Sequence, residues 1–217
     1  MLFISECHWN TTTDVALLLD TSSGLTQTDF EAGVSAVTYL TNIILAGNDD
    51  ENVRLSLVTF GQSMKVVRNL SETTVIDTLL SKVQALTFQE GSCMRHDQSE
   101  NGVCGSDENT LEDALTLLND SILVPSNTDS REVILIISNG RFTVDDTLPS
   151  LIEKFKNQGR FVFAVALGDD VAMETLQQLV NDPAYIFTAR FQEEPTSLDV
   201  LSAEIFYSTC SLSNDFV

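Results

Sequence analysis

The stretch DVALLLD, residues 14–20, decides the fold, because it is an almost unbroken apolar run that ends in a carboxylate. A strand that is apolar at every position, rather than at alternate ones, is typical of a parallel sheet covered on both faces. The runs REVILIIS (131–138) and RFVFAVAL (160–167) have the same character. We therefore predict a central parallel sheet with helices on both of its faces.

The segments between these runs complete an alternation of strands and helices. Apolar residues from Phe30 to Ile44 recur at helical spacing, and Thr28 with Glu31 predicts a capping box at that helix's start. Further helices are predicted at 74–86, 110–123, 148–157, 171–180 and 197–207, and further strands at 54–60, 64–70 and 184–189. The short 61–63 connection predicts a hairpin, which makes strand 64–70 antiparallel. The expected fold class is α/β, an open, doubly wound, six-stranded and mostly parallel sheet with one antiparallel strand.

Composition limits the classes of partner. Lys and Arg number 11 against 32 Asp and Glu, a formal charge of −21. A surface this negative repels phosphate backbones, so we expect no nucleic acid partner, and no apolar run approaches the ~20 residues that cross a bilayer. The acidity either serves solubility alone or favours cationic partners and divalent metals. We expect one domain, 1–217, with its core at about 14–210.

The four cysteines are placed as two pairs. One pair brackets the predicted core, Cys7 and Cys210, and the other, Cys93 and Cys104, flanks the polar stretch MRHDQSENGV. An even count in this arrangement suggests two disulfides in an oxidising compartment, the second closing the 93–104 loop, although four free buried thiols are the alternative. Three N-x-[ST] sequons agree with secretion and glycosylation: Asn10, Asn69 and Asn119. The N-terminus lacks the features of a signal peptide, so we expect an extracellular protein whose signal has been removed.

Ligands of an open α/β sheet bind beyond the carboxyl ends of its strands, which directs attention to DTSSG at 20–24. LLLDTSSG, VRLSLVTFG, TLEDAL and VILIISNGR follow one another in the order and spacing of the von Willebrand factor A domain. The chain resembles that family over nearly its whole length, and a secreted, nematode-type member in particular. Cys7 and Cys210 are similar to the end-to-end disulfide of secreted members. The resemblance implies an extracellular, non-catalytic, protein-binding or adhesion module.

The family's metal-ion-dependent adhesion site is only partly present. Its D-x-S-x-S motif matches at Asp20 and Ser22, but the third position is Gly24 instead of a hydroxyl residue. Its threonine falls on Asn109, with Thr110 one place late, and its second aspartate falls on Asn139. The resemblance therefore implies a degenerate site with a predicted ligand-binding set of Asp20, Ser22, Asn109, Thr110 and Asn139.

Metal binding should suffer from these changes. Affinity for Mg²⁺ or Ca²⁺ falls with ligand charge, so we expect a weak site on Asp20 and Ser22 or none at all. Asn109 and Asn139 can still offer neutral carbonyl oxygens, and Glu112 and Asp113 lie near enough in sequence to compensate. Taken alone, Asp and Ser in such a turn are equally suited to satisfying backbone groups and capping the next helix.

The sequence gives little support for an enzymatic function. An aspartic protease needs a second Asp-Thr-Gly motif or a dimer, and an aspartyl-phosphate phosphatase needs an aspartate where Ser22 stands. The two histidines, His8 and His96, lie at the N-terminus and in the cysteine loop, and the sequence contains no glycine-rich phosphate loop. We predict a protein that is not an enzyme.

Two functions remain. The first is capture of an extracellular or matrix protein ligand, and the second is self-association as a structural matrix protein of the same fold. The 93–104 loop is either a disulfide-closed insertion without a binding role or a partner-binding surface that includes Met94, Arg95 and His96.

Overall fold

A computed structural model describes residues 12–46, 53–61, 64–72, 76–88, 110–123, 130–142, 144 and 147–189. Several predicted features lie outside these residues: the four cysteines, Asn10, Asn109, the 93–104 loop and the helix at 197–207.

The sheet has six strands, as predicted. They are β1 (Thr13–Thr21), β2 (Val53–Gly61), β3 (Lys65–Arg68), β4 (Arg131–Ser138), β5 (Phe161–Leu167) and β6 (Ile186–Ala189). Their spatial order is β3-β2-β1-β4-β5-β6, with β3 antiparallel to β2 and every other pair parallel. The α/β fold class is confirmed, and β1 lies at the centre of the sheet.

Helices cover both faces of this sheet. They are α1 (Gln27–Ala46), α2 (Ile76–Gln84), α3 (Leu111–Leu117), α4 (Thr147–Asn157) and α5 (Met173–Leu179). In β1, Leu17 and Leu19 pack with α1 and α2, whereas Leu18 packs with α3, α4 and α5. All three leucines are fully buried, and each such burial contributes roughly 1.5–3 kcal/mol. The side chains of β1 are therefore buried in two cores, one on each face of the sheet. This explains why apolar and polar residues do not alternate along the strand.

The start of α1 differs from the prediction. The capping pair is Thr26 and Asp29: the Asp29 N–H donates to Thr26 Oγ1 at 3.1 Å, and the Thr26 N–H donates to Asp29 Oδ2 at 3.2 Å. The predicted Thr28–Glu31 box is therefore two residues late. Leu25 and Phe30 flank the observed cap, are both buried and belong to one core. This hydrophobic staple favours the earlier of two overlapping patterns.

The helix predicted at 110–123 is observed, but it changes type in its second half. It is α-helical only to Leu117, and residues Leu118–Ile122 form a π-helical turn in which the Leu123 N–H donates to the Leu118 carbonyl at 2.7 Å. Arg160, 3% exposed, donates to the Leu123 carbonyl at 2.9 Å and to Asn119 Oδ1 at 3.0 Å. The same guanidinium pairs with Glu132. We attribute the wider turn to this buried cation, which binds the carbonyl of Leu123, the residue directly after the turn.

None of the helices within the described ranges combines the length and apolarity that a membrane span requires.

Candidate ligand-binding edge of the sheet

The predicted site residues lie where β1 and β4 end side by side. Leu19 pairs with Ile137 in the parallel register, so Asp20 is level with Ser138 at the carboxyl edge. The chain leaves β1 toward α1 on one face and leaves β4 toward α4 on the other. Such a divergence opens a crevice between neighbouring strands, which is where open α/β sheets bind ligands.

Asp20 joins the two turns at this edge. Its side chain is 1% exposed, and Oδ2 accepts a hydrogen bond from Ser138 Oγ at 2.5 Å while Oδ1 accepts one from the Ser22 N–H at 2.8 Å. Ser138 Oγ in turn accepts from the Gly140 N–H at 2.9 Å. The carboxylate thus holds the turn after β1 against the turn after β4.

Asn139 makes a second connection between the same turns. It is 2% exposed, its Nδ2 donates to the Gly24 carbonyl at 3.2 Å, and its Oδ1 accepts from the Arg141 N–H at 3.0 Å. Gly24 and Asn139 are two of the positions that depart from the expected motif. The two residues that replace motif residues are therefore hydrogen-bonded to each other.

The end of β2 closes this edge from the other side. Thr21 Oγ1 donates to the Phe60 carbonyl at 2.7 Å. Gly61 has φ +104°, and a Cβ placed on it would lie 2.4 Å from the Ser22 backbone nitrogen. Only glycine combines this backbone conformation with so close an approach. Gly61 and Ser138 are site residues that the sequence patterns did not indicate, although each is the last residue of an apolar strand.

Thr110 has a separate role in the structure. It caps α3: the Asp113 N–H donates to Thr110 Oγ1 at 3.1 Å, and the Thr110 N–H donates to Asp113 Oδ2 at 2.8 Å. The structure thus links Asp20, Ser22 and Asn139 through their turns and places the polar atoms of Thr110 in its own helix cap. Asp113, considered as a compensating ligand, serves that cap.

The described side chains fit a divalent cation poorly. Both Asp20 oxygens accept hydrogen bonds from protein groups, and Asn139 directs its amide nitrogen to Gly24. Within the part of the chain that the structure describes, no group of three His, Cys, Asp or Glu side chains could hold a metal ion. Hard cations need several anionic or neutral oxygens that point to one centre. At this edge both Asp20 oxygens and Asn139 Oδ1 accept hydrogen bonds from protein groups.

An ion pair lies beside these turns. Arg141 Nη2 contacts Asp170 Oδ2, and Arg141 Nε donates to the Asp170 carbonyl at 3.1 Å. Asp170 follows β5 and its side chain is 85% exposed. Because both groups are largely solvated, the pair contributes at most about 1 kcal/mol to stability. The pair places one cation and one carboxylate on the solvent side of the edge.

Comparisons with known proteins bear on the family and the fold of the chain. The family model described as the von Willebrand factor type A domain matches residues 14–201. Two structures of proximal thread matrix protein 1 from the mussel byssus, one of them with a zinc-occupied MIDAS motif, each have a TM-score of 0.68 at 15% identity and align with 92% of this chain and 48% of theirs. The three N-terminal domains of the type V pili tip protein Mfa5 from Porphyromonas gingivalis give a TM-score of 0.62 at 14% identity, over 87% of this chain and 48% of that one.

The chain spans about half the length of these solved chains. At such low identity the structural likeness shows the shared fold alone. No curated protein sequence matches the chain.

Proposed function

Because this chain belongs to the von Willebrand factor type A domain family, we propose that it is an extracellular, non-catalytic module that captures a protein ligand at the carboxyl edge of its sheet with little or no help from a metal ion. The whole chain, 1–217, acts as one module in this proposal. The predicted set Asp20, Ser22, Asn109, Thr110 and Asn139 forms or supports the contact surface.

One observation carries the proposal: the Asn139 amide donates to the Gly24 carbonyl at 3.2 Å. A cation in this position would draw oxygens from both turns toward itself. Here an amide hydrogen bond, together with the Ser138–Asp20 bond, joins the two turns without one. Because Asn139 directs its amide nitrogen and not an oxygen to Gly24, the edge offers a cation fewer oxygens, which supports weak or absent binding of Mg²⁺ or Ca²⁺.

The charge of the chain indicates which ligands suit such an edge. Without a bound cation, an acidic group of a partner would meet a protein of net charge −21. Like-charge contact disfavours that encounter, whereas basic ligands are attracted from a distance. We therefore expect a basic or neutral protein surface as the partner.

Among the described side chains of this edge, we find no nucleophile and base placed for catalysis. A nucleophile needs an adjacent base that is within reach of a substrate. Ser138 donates to a carboxylate, but both side chains are buried and Ser138 Oγ already accepts the Gly140 N–H. This geometry suits a structural bond.

Calorimetric titration with Mg²⁺, Mn²⁺ and Ca²⁺ tests the metal part of the proposal. We expect no saturable heat from the wild-type protein, and the double variant Gly24→Ser, Asn139→Asp serves as the positive control because it restores two positions of the motif. A micromolar dissociation constant for the wild type would overturn the proposed metal independence.

The location of the surface is tested separately, with a displayed random-peptide library selected in the presence of chelator. Enriched peptides should be basic and should lose binding to Gly24→Arg, since Gly24 is exposed and a Cβ there meets only ordinary contacts at 3.5 and 3.6 Å. Gln158→Arg is the matched control, because it adds the same charge at an exposed position preceding β5, at the opposite edge. An equal loss of peptide binding in both variants would show that the carboxyl edge is not the contact surface.

Matrix assembly is the second candidate, favoured by the likeness to the mussel byssus matrix protein. Light scattering over a range of protein concentrations separates the two functions. A concentration-dependent oligomer supports assembly, and a monomer at all concentrations supports ligand capture.

Secretion is part of both proposals, with disulfides Cys7–Cys210 and Cys93–Cys104 and glycans at Asn10, Asn69 and Asn119. The experiment is peptide mapping of the protein from a secretory host, without reduction. Four free thiols, or sequons that all lack glycans, would contradict it.

A further inference from the structure

A groove lies on the face of the sheet that α1 and α2 cover, between one flank of α1 and the residues that follow α2. Its volume is about 650 Å³, within the range of about 300–1,000 Å³ that is usual for ligand sites. From α1 it is lined by Gln27, Phe30, Glu31 and Val34, which recur every three or four residues and therefore share one flank of the helix. α1 begins three residues after Gly24, so these first turns lie beside the carboxyl edge described above.

The apolar lining of the groove is incompletely covered. Phe30 is 4% exposed, and the centroid of its ring lies 5.7 Å from that of Phe88. Val34, Leu86 and Phe88 pack against the core of this face, but each of them remains partly exposed. The groove therefore presents apolar surface from two segments of the chain to a ligand, and covering that surface would favour binding.

A carboxylate lies in the same groove. Glu31 Oε1 accepts a hydrogen bond from Gln27 Nε2 at 2.8 Å. Glu31 is the one charged residue among the described residues that line the groove, and no lysine or arginine of the described ranges pairs with it. In a chain of net charge −21 an acidic ligand is disfavoured here, whereas a cation would find an unpaired and partly buried carboxylate.

We propose that this groove holds a lysine or arginine side chain of the captured protein ligand, with the aliphatic stem on Val34 and Leu86 and the cation at Glu31. Lysine and arginine combine an apolar stem with a charged end, which matches the lining. Aromatic rings add attraction for a cation, and the partly exposed ring of Phe88 belongs to the same lining. The inference rests on the proposed capture of a basic protein ligand, and it names a contact outside the predicted set of site residues.

The probe for this groove is the peptide acetyl-Leu-Arg-Leu-amide, titrated into the isotope-labelled protein and followed by the NMR shifts of backbone amides. At about 0.15 M salt the Debye length is about 8 Å, so distant surface charges contribute little to binding. We expect saturable shifts in the first turns of α1 and at residues 84–88. The matching citrulline peptide has the same shape without the charge and should bind at least about fivefold more weakly. The proposal is overturned if the arginine peptide shifts no residue of the groove or if both peptides bind equally.

A substitution and its matched control make the test specific to Glu31. Glu31→Gln removes the charge, and its amide oxygen can still accept the hydrogen bond from Gln27. It should weaken binding of the arginine peptide about fivefold and leave binding of the citrulline peptide unchanged. Glu112→Gln is the control, because it neutralises a similarly half-exposed carboxylate near the start of α3, on the opposite face of the sheet. Equal binding of the arginine peptide by the two variants would contradict the inference.

Gly24→Arg separates this inference from the function proposed for the carboxyl edge. It leaves the groove residues unchanged, so the arginine peptide should still shift them, whereas the peptides selected from the library should lose binding. If the library peptides bind Gly24→Arg normally while Glu31→Gln weakens the arginine peptide, the groove is supported and the carboxyl edge is refuted. If the library peptides lose binding to Gly24→Arg while Glu31→Gln binds the arginine peptide like the wild type, the groove is refuted and the carboxyl edge is supported.

Discussion

Replacing Asn139 by aspartate removes the amide bond to Gly24 and adds a second carboxylate beside Asp20. Asp20 is level with Ser138, so the new charge would lie one residue along and one strand across, roughly 6 Å away from strand spacings of about 4.8 and 3.3 Å. At an effective dielectric constant of about 20, that separation costs about 3 kcal/mol. The lost hydrogen bond adds about 1 kcal/mol, so we expect Asn139→Asp to lose about 3–4 kcal/mol of unfolding free energy at pH 7 without metal.

This loss should depend on pH and on Mg²⁺. Burial and the Asp20 charge raise the pKa of the new carboxyl in the folded state above its unfolded value of about 3.9. The folded state then holds the proton more tightly, so the deficit is small below about pH 4 and grows as pH rises from there toward the folded-state pKa. A cation between the two carboxylates would offset it, by about 2.7 kcal/mol when the metal exceeds its dissociation constant a hundredfold.

Urea denaturation in chelator and in Mg²⁺, at pH 4.5 to 7.5, measures the loss of unfolding free energy, its dependence on pH and its dependence on Mg²⁺. Asn139→Ala is the control: it loses the hydrogen bonds but adds no charge, so its loss of about 1–3 kcal/mol should respond to neither pH nor metal. If Asn139→Asp in chelator at pH 7 is as stable as the wild type, the amide bond does not substitute for an ion and the reasoning fails.

Three further experiments, with four substitutions, test other contacts. Arg160→Met leaves the Glu132 carboxylate without its cation and should cost about 3–5 kcal/mol in urea unfolding; a loss below about 1 kcal/mol would show that the network contributes little. Gly61→Ala and Gly159→Ala both place a side chain at positive φ, but only the first meets a neighbour within 4 Å, so calorimetric melting should show about 1–2 kcal/mol lost at Gly159 and clearly more at Gly61. Equal losses would mean that the contact with Ser22 is unimportant. Gly24→Ser has room for its side chain and should change stability by less than about 0.5 kcal/mol, and a larger loss by the same measurement would show that the turn cannot accept the family's hydroxyl.

The sheet could be predicted because a strand that is buried on both faces has apolar residues at consecutive positions in the sequence. Leu17, Leu18 and Leu19 can all be apolar only if both sides of β1 are covered, and that condition selects the parallel α/β class. The position of Asp20 at the carboxyl edge follows from the same run. Site residues that end or follow such strands are therefore accessible to sequence reasoning.

Other features depend on contacts between segments that are distant in the chain. The π-helical turn follows α3, yet the cation that binds the carbonyl of the next residue, Leu123, is Arg160, which lies 37 residues further along the chain. The hydrogen bond from Asn139 to Gly24 spans 115 positions, and a comparison with the family motif shows only two separate departures there. The staple of Leu25 and Phe30 decides between two capping patterns that spacing alone cannot separate.

The contact of Gly61 with the Ser22 backbone has a consequence for how fast a partner can bind. A turn with no space behind it cannot be pushed inward, so a ligand must fit the surface as it stands instead of reshaping it. Association should then follow a single exponential without a slow rearrangement phase. Its rate should fall steeply as salt is added, because attraction between a basic partner and a chain of charge −21 would govern the encounter.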